Sequence, residues 1–247
     1  MTTALITGAA RRLGRDIALK LASEGWDIAA HYLSSEAEAQ SLRDEVVRLG
    51  RACSLVRADL ADEAQVRTIV ERAEAGTGPV SVLVNCASVF EDDRVETATR
   101  ASWDMHLDTN LRAPFVLSQA MAARLPPSMN GCIVNIIDQS ILRLTPQFIS
   151  YTVSKSALWT LTRTMAQALA PRIRVNAVAP GPSLKASHQS QANFDRQVNS
   201  TLLRRPSGPA EIAGAVSYLV SAQAVTGQMI AVDSGQHLSW SASDFVE

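Results

Sequence analysis

Residues 4–14 read Ala4-Leu5-Ile6-Thr7-Gly8-Ala9-Ala10-Arg11-Arg12-Leu13-Gly14. A short apolar run meets a turn bounded by two glycines, and an amphipathic segment follows. Residues 4–7 read as a strand. Residues 13–23 read as a helix, with Leu13, Ile17, Ala18, Leu21 and Ala22 apolar at helical spacing. Gly8 permits a tight turn, and Gly14 lets the helix pack close to the strand. The helix N-terminus offers free N–H groups and positive partial charge to a pyrophosphate. On these residues alone, a plain strand–helix turn is the competing reading.

The alternation continues along the chain. Strands are expected at 28–32, 52–57, 80–85, 131–137, 173–178 and 228–232. Ser35-Glu36-Ala37-Glu38 has the form of a capping box opening a helix that stops at Gly50. Further helices are expected at 63–75, 102–124, 150–170 and 209–221. Strands alternating with helices imply right-handed crossovers and a parallel sheet. The expectation is a single-domain α/β Rossmann-like doubly wound fold, a seven-stranded parallel sheet with helices on both faces. Residues 180–206 break the rhythm. They are polar, rich in Ser and Gln, and follow a strand end, where ligands bind in such sheets. They read as a substrate lid, with Leu184 or Phe194 facing the ligand.

Composition excludes several classes. The 247 residues are 47% hydrophobic and 19% charged, with a formal net charge of −1, which argues against a nucleic-acid surface. No window approaches eighteen consecutive apolar residues, so no membrane partner is expected. The N-terminal residues lack the form of a signal peptide, and Cys53, Cys86 and Cys132 lack metal-ligand spacing. These features read as a cytoplasmic protein with no metal and with structural thiols. His106 is read as structural as well.

The second strand bears on the cofactor. It ends His31-Tyr32-Leu33-Ser34-Ser35, with no carboxylate before Glu36. An acid there would bond the ribose 2′-hydroxyl of NAD. Arg12, in the turn with Arg11, could instead meet a 2′-phosphate, helped by Ser34 and Ser35. NADP(H) is favoured, although Arg11, Arg12 and Arg15 also read as a solvated basic face. Asp59 could bond an adenine amino group or cap the next turn.

Tyr151-Thr152-Val153-Ser154-Lys155 places a phenol and an ammonium one helical turn apart. A cation there would draw the phenol pKa down toward the working range of a general acid. Asp138 lies thirteen residues upstream, at a strand end, where it could also merely cap a turn.

These residues carry a resemblance over nearly the whole chain. Thr7-Gly8 with Gly14, Asp59-Leu60, Asn85-Cys86-Ala87-Ser88, Asn110, Val134-Asn135-Ile136-Ile137-Asp138, Tyr151 with Lys155, and Arg174-Val175-Asn176-Ala177-Val178-Ala179-Pro180-Gly181 resemble the short-chain dehydrogenase/reductases. The resemblance implies that Tyr151 protonates the substrate and that Lys155 binds the nicotinamide ribose. It implies that Asn110 holds a water in a proton relay. The Pro180-Gly181 turn would flank the nicotinamide, with Ser183 and Leu184 beyond it and Pro182 toward the substrate. A homotetramer is implied, with the segments 102–124 and 150–170 at its interface.

The departures point to a subfamily. Ordinary members carry glycine at Arg12, serine at Asp138, and Asn-Asn-Ala-Gly at 85–88. Arg12, His31-Tyr32, Ser88, Phe90 and Asp138 resemble pteridine reductases, in which the phenylalanine stacks on the pterin and the aspartate works beside the tyrosine. Ser34 stands where a basic residue often assists the 2′-phosphate. Chemistry agrees with an aspartate: a carboxylate accepts from several N–H groups of a pterin, and its protonated form donates. Ser88, Phe90, Asp138, Tyr151 and Pro182 are the expected substrate contacts. The expected activity is NADPH-dependent reduction of a C=N bond in a pterin-like small molecule. A carbonyl (ketone or 3-oxoacyl) reductase is the alternative, and a catalytically idle NADP-binding regulator a third reading.

Overall fold

The computed structural model describes residues 2–185 and 189–239. Seven strands form one parallel sheet: β1 (Thr3–Ile6), β2 (Asp27–Tyr32), β3 (Cys53–Arg57), β4 (Val80–Asn85), β5 (Gly131–Ile136), β6 (Ile173–Pro180) and β7 (Met229–Val232). Their spatial order is β3-β2-β1-β4-β5-β6-β7, all neighbours parallel. The chain therefore reverses direction across the sheet beside β1, between β2 and β4. That switch opens a crevice at the carboxyl ends of the strands.

Every residue of β1, β2, β4 and β5 is buried, as a sheet covered on both faces demands. The two-residue period divides β1 between two cores. Ala4 and Ile6 pack with Ile17 and Leu21 of α1 (Arg12–Ser23), Leu42 of α2 (Glu36–Arg48) and Val216 of α9 (Pro209–Ser221). Leu5 packs on the other face with Ile69 of α4 (Ile69–Thr77), Leu117 of α6 (Ala113–Arg124) and Met165 of α7 (Ile149–Leu169). Leu5, Ile6, Ile17 and Leu117 are fully buried. Each such side chain contributes about 1.5–3 kcal/mol by leaving water.

Several boundaries differ from the expectation. Ser35 makes no capping hydrogen bond; its φ and ψ of −90° and 63° are outside the extended geometry that aims a cap side chain at the first turn. The helix expected over 63–75 is two pieces, α3 (Glu63–Val66), capped by Asp62, and α4. The helix expected over 102–124 starts earlier, as α5 (Arg100–Leu107), behind a reciprocal Thr99–Ser102 capping box. A π-helical turn at Asp108–Arg112 joins it to α6. β6 runs on to Pro180; its pairing with β5 ends at Val178, so the missing proline N–H interrupts no bond on that side. The excursion after β6 contains a helix, α8 (Gln191–Asn199), capped by Ser190.

Candidate active site

A cleft of about 650 Å³ lies at the carboxyl ends of β1, β4, β5 and β6. Twelve of the predicted site residues line it: Arg12 and Leu13 from the glycine turn, Ser88 and Phe90 after β4, Asp138 after β5, Tyr151 and Lys155 on α7, and Pro180, Gly181, Pro182, Ser183 and Leu184 after β6. Pairing of the parallel strands brings these ends together, although these lining residues are up to 172 positions apart in sequence.

Asp138 divides its carboxylate between two tasks. Oδ1 accepts from the Ser140 N–H at 2.8 Å and caps the short 3-10 turn Gln139–Leu142. Oδ2 accepts from the Tyr151 hydroxyl at 2.8 Å. Both sequence readings of this aspartate, turn cap and partner of the phenol, are therefore present at once. Tyr151 is buried, and its phenol stands well above the usual tyrosine range. Burial is the largest cause, followed by the negative charge and hydrogen bond of Asp138; Ser88 acts weakly the other way. This direction corrects the expectation that Lys155 draws the phenol down. Lys155 Nζ sits 5.7 Å from the Tyr151 ring centroid and donates to the Ile136 carbonyl at 2.9 Å. Burial lowers its own pKa to about 8, against the nearby Asp138 carboxylate.

An aromatic wall stands beside this pair. The Phe90 ring stacks on Phe148 at 4.4 Å between centroids and meets Tyr151 edge-on at 4.6 Å. Phe148 is in the left-handed region (φ 57°, ψ 46°), which costs an L-residue about 1–2 kcal/mol. Sequence reasoning missed Phe148, although its place one helical turn before Tyr151 is a usable signal. Gln139, Ser140 and Gln236 also line the cleft and were missed. Gln139 Oε1, Ser140 Oγ and Gln236 Oε1 are buried atoms without a hydrogen-bond partner. Cys86, read as structural, lines the cleft too; burial sends its thiol up to about 12.

The glycine turn is held from behind. A Cβ on Gly14 would lie 2.2 Å from the Gly8 carbonyl oxygen, so only glycine fits. Gly8 has φ 67°, and a Cβ there would press on Ala87. The Gly8 N–H donates to His31 Nδ1 at 3.2 Å, and His31 Nε2 lies 3.1 Å from the Ala58 carbonyl oxygen. Nδ1 accepts, so Nε2 carries the proton and donates. His31 is thus a buried strut and makes no wall of the cleft. Burial lowers its pKa from 6.5 to about 4. A lowered histidine contributes stability that is complete above the unfolded pKa and is lost as pH falls from 6.5 toward 4. That contribution is on the order of 3 kcal/mol. In His31→Asn the amide oxygen can still receive the Gly8 N–H. Chemical denaturation at pH 7 and pH 4 should show a smaller acid loss in the variant by roughly that amount. Equal losses in the two proteins would remove the role.

Arg12 lines the cleft and also bonds the excursion, whereas the predicted residues not named above lie away from the cleft wall. Arg12 reaches across to the excursion and donates to the Leu184 and Lys185 carbonyls, each at 3.1 Å. Arg15 pairs with Glu45 at 2.7 Å, so this member of the basic cluster belongs to the solvated surface, and Arg11 is exposed. Tyr32 packs on Ala10 and Ala39, and Leu60 lies in the core. Ser34 is exposed and Ser35 half-buried. Asp59 takes the turn-capping alternative, accepting from the Ala61 N–H at 2.9 Å. Asn85 is buried and donates to Asn135 at 2.8 Å. Ala87 N–H donates to the Thr7 hydroxyl, which ties β4's exit to the glycine turn.

Asn110, in the π-helical turn, is fully occupied. Its Oδ1 accepts from the Val89 N–H and the Ser88 hydroxyl; its Nδ2 donates to the Val89 carbonyl and to Ser154 Oγ. All four capacities of the amide are used. The side chain therefore clasps the Phe90 loop to α7, and the water relay expected of it has no side-chain atom to use.

A family model described as enoyl-(acyl carrier protein) reductase matches residues 8–237. The chain belongs to the short-chain dehydrogenase/reductase family. Within this family of oxidoreductases, it is 32% identical to the 3-oxoacyl-(acyl-carrier-protein) reductase FabG of Staphylococcus epidermidis, over 96% of this chain and 99% of that one. Among solved structures it resembles FolM alternative dihydrofolate reductase 1 from Brucella suis in complex with NADP, with 44% identity, a TM-score of 0.95, and coverage of 99% and 98% of the two chains. A blue fluorescent protein from a metagenomic library in complex with NADPH aligns at 36% identity and a TM-score of 0.89, covering 95% of this chain and 97% of that one. Family membership agrees with the sheet order and with Tyr151 and Lys155 at one cleft. Among the described residues no helix is long and apolar enough to cross a membrane, and no cluster of metal-ligating side chains occurs.

Proposed function

We propose that this protein uses NADPH to reduce a C=N bond of a pterin or dihydropterin. The observation that carries the proposal is the 2.8 Å bond between the Tyr151 hydroxyl and Asp138 Oδ2 at the foot of the Phe90 wall. A ring nitrogen must gain a proton when its neighbouring carbon gains hydride. The buried phenol holds that proton, and the carboxylate can accept from the amide and amino N–H groups that a pterin presents. Phe90 and Phe148 offer flat apolar surface to a flat heterocycle. The polar side chains of Gln139, Ser140 and Gln236 on the cleft wall suit a ligand rich in donors and acceptors better than an acyl chain.

The residues fit the cofactor. Gly8, at φ 67°, and Gly14, packed against the Gly8 carbonyl, hold the tight turn that brings a pyrophosphate to the N-terminus of α1, and the buried Lys155 ammonium suits ribose hydroxyls. Gly181 comes so close to Asp233 that a Cβ would lie 2.6 Å from its Cα, which packs the Pro180-Gly181 turn tightly on β7's exit beside the cleft. When bound, NADPH supplies the hydride. Of the turn's two arginines Arg12 is the one on the cleft wall, and no carboxylate follows β2 before Glu36 to repel a 2′-phosphate. The solved relatives in complex with NADP and NADPH support this choice.

The similarity to FolM alternative dihydrofolate reductase 1 supports a pterin substrate. The FabG relatives support a second reading, reduction of a ketone or 3-oxoacyl group. The idle-regulator reading has no geometric support, because the proton donor and its partners stand together in the cleft. The deciding experiment follows NADPH oxidation with dihydrobiopterin, dihydrofolate and a panel of ketones. Pterin turnover is expected; ketone turnover without it would overturn the proposal. Resemblance to the short-chain family implies a homotetramer, which sedimentation of the purified protein would test.

A further inference from the structure

Asp93 lies in the loop between β4 and α5, three residues beyond Phe90, and has no place in the chemistry above. It is 2% exposed. Its Oδ1 accepts from the Ser150 backbone N–H at 3.0 Å, and its Oδ2 accepts from the Ser150 hydroxyl and, at 3.1 Å, from the Ser102 hydroxyl. Its backbone carbonyl accepts from the Ile149 N–H at 3.2 Å. These are the first N–H groups of α7, whose own N-cap residue, Phe148, makes no side-chain capping bond. A carboxylate from another segment thus performs the cap, next to Tyr151, and complements the positive end of the helix.

The network extends to α5. His106, fully buried, accepts from the Glu91 N–H through Nε2 at 3.1 Å. Its Nδ1 therefore carries the proton and faces the Ser102 carbonyl at 3.0 Å and Ser150 Oγ at 2.6 Å. Burial pushes the Asp93 carboxyl up, but the hydrogen bonds from Ser150 and Ser102 outweigh it and hold the group below the ordinary range. The loop carrying Phe90 is consequently pinned at Val89 by Asn110, at Glu91 by His106, and at Asp93 by α7 itself. Although a serine, a histidine and an aspartate meet here, Ser150 donates to the carboxylate and all three are buried, so no nucleophile results.

We propose that Asp93 is a positioning residue: it caps α7 from the Phe90 loop and so sets the distance between the Phe90 ring and the Tyr151 phenol. The proposal rests on Tyr151 serving the reaction proposed above. A misplacement of about 1 Å at a reacting group can lower turnover by about 100-fold. In Asp93→Asn the oxygen that receives the Ser150 N–H can remain, but the second oxygen becomes an NH2 group facing the Ser150 and Ser102 hydroxyls, so the charge and the hydroxyl bonds that hold the loop on α7 are lost with little change in volume.

The test compares Asp93→Asn with the unaltered protein, counting sites by NADPH binding. Turnover per NADPH-binding site should fall by about 10- to 100-fold, with NADPH affinity unchanged. A merely structural role would reduce the number of folded sites and leave turnover per site intact, and that result overturns the proposal. Ser150→Ala keeps the backbone bond and removes only the hydroxyl, so it decides the matter if Asp93→Asn does not fold. It should lower turnover per site by about 3- to 10-fold; no change overturns the proposal. Rates are read on whichever pterin or ketone the unaltered protein reduces, since Tyr151 protonates either. Absence of pterin turnover thus counts against the functional reading alone. A readout without turnover is the ultraviolet titration of Tyr151, taken as a difference from Tyr151→Phe. Its phenol should ionise at lower pH in Asp93→Asn as its burial beside Asp138 is lost. An unchanged titration overturns the proposal.

Discussion

Tyr151→Phe should lower the rate of NADPH oxidation with pterin by about 10²- to 10⁴-fold, the range that a positioned proton donor contributes. The substitution removes one atom. The ring keeps its edge contact with Phe90, its contact with His106, and its place under Lys155. Lost is the hydroxyl that donates to Asp138 Oδ2. NADPH affinity and melting temperature should therefore change little, and the loss should appear in kcat. The pH profile gives a second check. The phenol lies above its usual range, so it keeps its proton through neutral and mildly alkaline pH, and the alkaline limb that its ionisation sets should lie above the one set by Lys155, which is lowered to about 8. The phenol's limb should vanish from the residual rate of Tyr151→Phe. A variant retaining more than about a tenth of the activity would show that another group delivers the proton.

Asp138→Ser tests what kind of substrate the proton reaches. Serine is as good a helix cap as aspartate, so the turn at Gln139–Leu142 should survive. The second oxygen, which receives the Tyr151 hydroxyl, has no equivalent in serine. Without that charge and hydrogen bond, two of the three causes that raise the phenol disappear, and its pKa should fall toward the ordinary tyrosine value. Pterin turnover should drop by about 100-fold, because no carboxylate remains to meet ring N–H groups. Ketone turnover should persist or rise, since one hydroxyl suffices for a carbonyl oxygen. Ratios of kcat/KM for a dihydropterin and a ketone measure this directly. Equal losses on both substrates would assign Asp138 to structure alone, and undiminished pterin reduction would end its proposed role.

The alternating pattern of apolar runs and amphipathic segments was enough for the doubly wound sheet, because strand and helix periods are local and the handedness of crossovers leaves few topologies. Gly8, Gly14, Asp138, Tyr151 and Lys155 were legible for a related reason: each is a residue type that its position requires, at a spacing visible along the chain. Breaks inside helices were not legible. The π-helical turn at Asp108–Arg112 leaves no mark in a periodicity that is apolar on both sides of it.

Tertiary structure decided the electrostatics. From spacing alone, Lys155 is one turn from Tyr151 and should draw its phenol down. In the fold both groups are buried, Lys155 turns to the Ile136 carbonyl, and Asp138 is the charge that meets the hydroxyl, so the phenol moves up. His31, His106, Asn110 and Asp93 followed the same course. His106 and Asp93 carry no chemical motif in sequence, and His31 and Asn110 read there as site residues; each became a strut once strand ends and helix starts far apart in the chain were brought within hydrogen-bond reach. Periodicity and glycine placement act over a few residues and can be read in one dimension. Burial and the identity of the nearest charge depend on contacts between segments, and only the packed molecule supplies them.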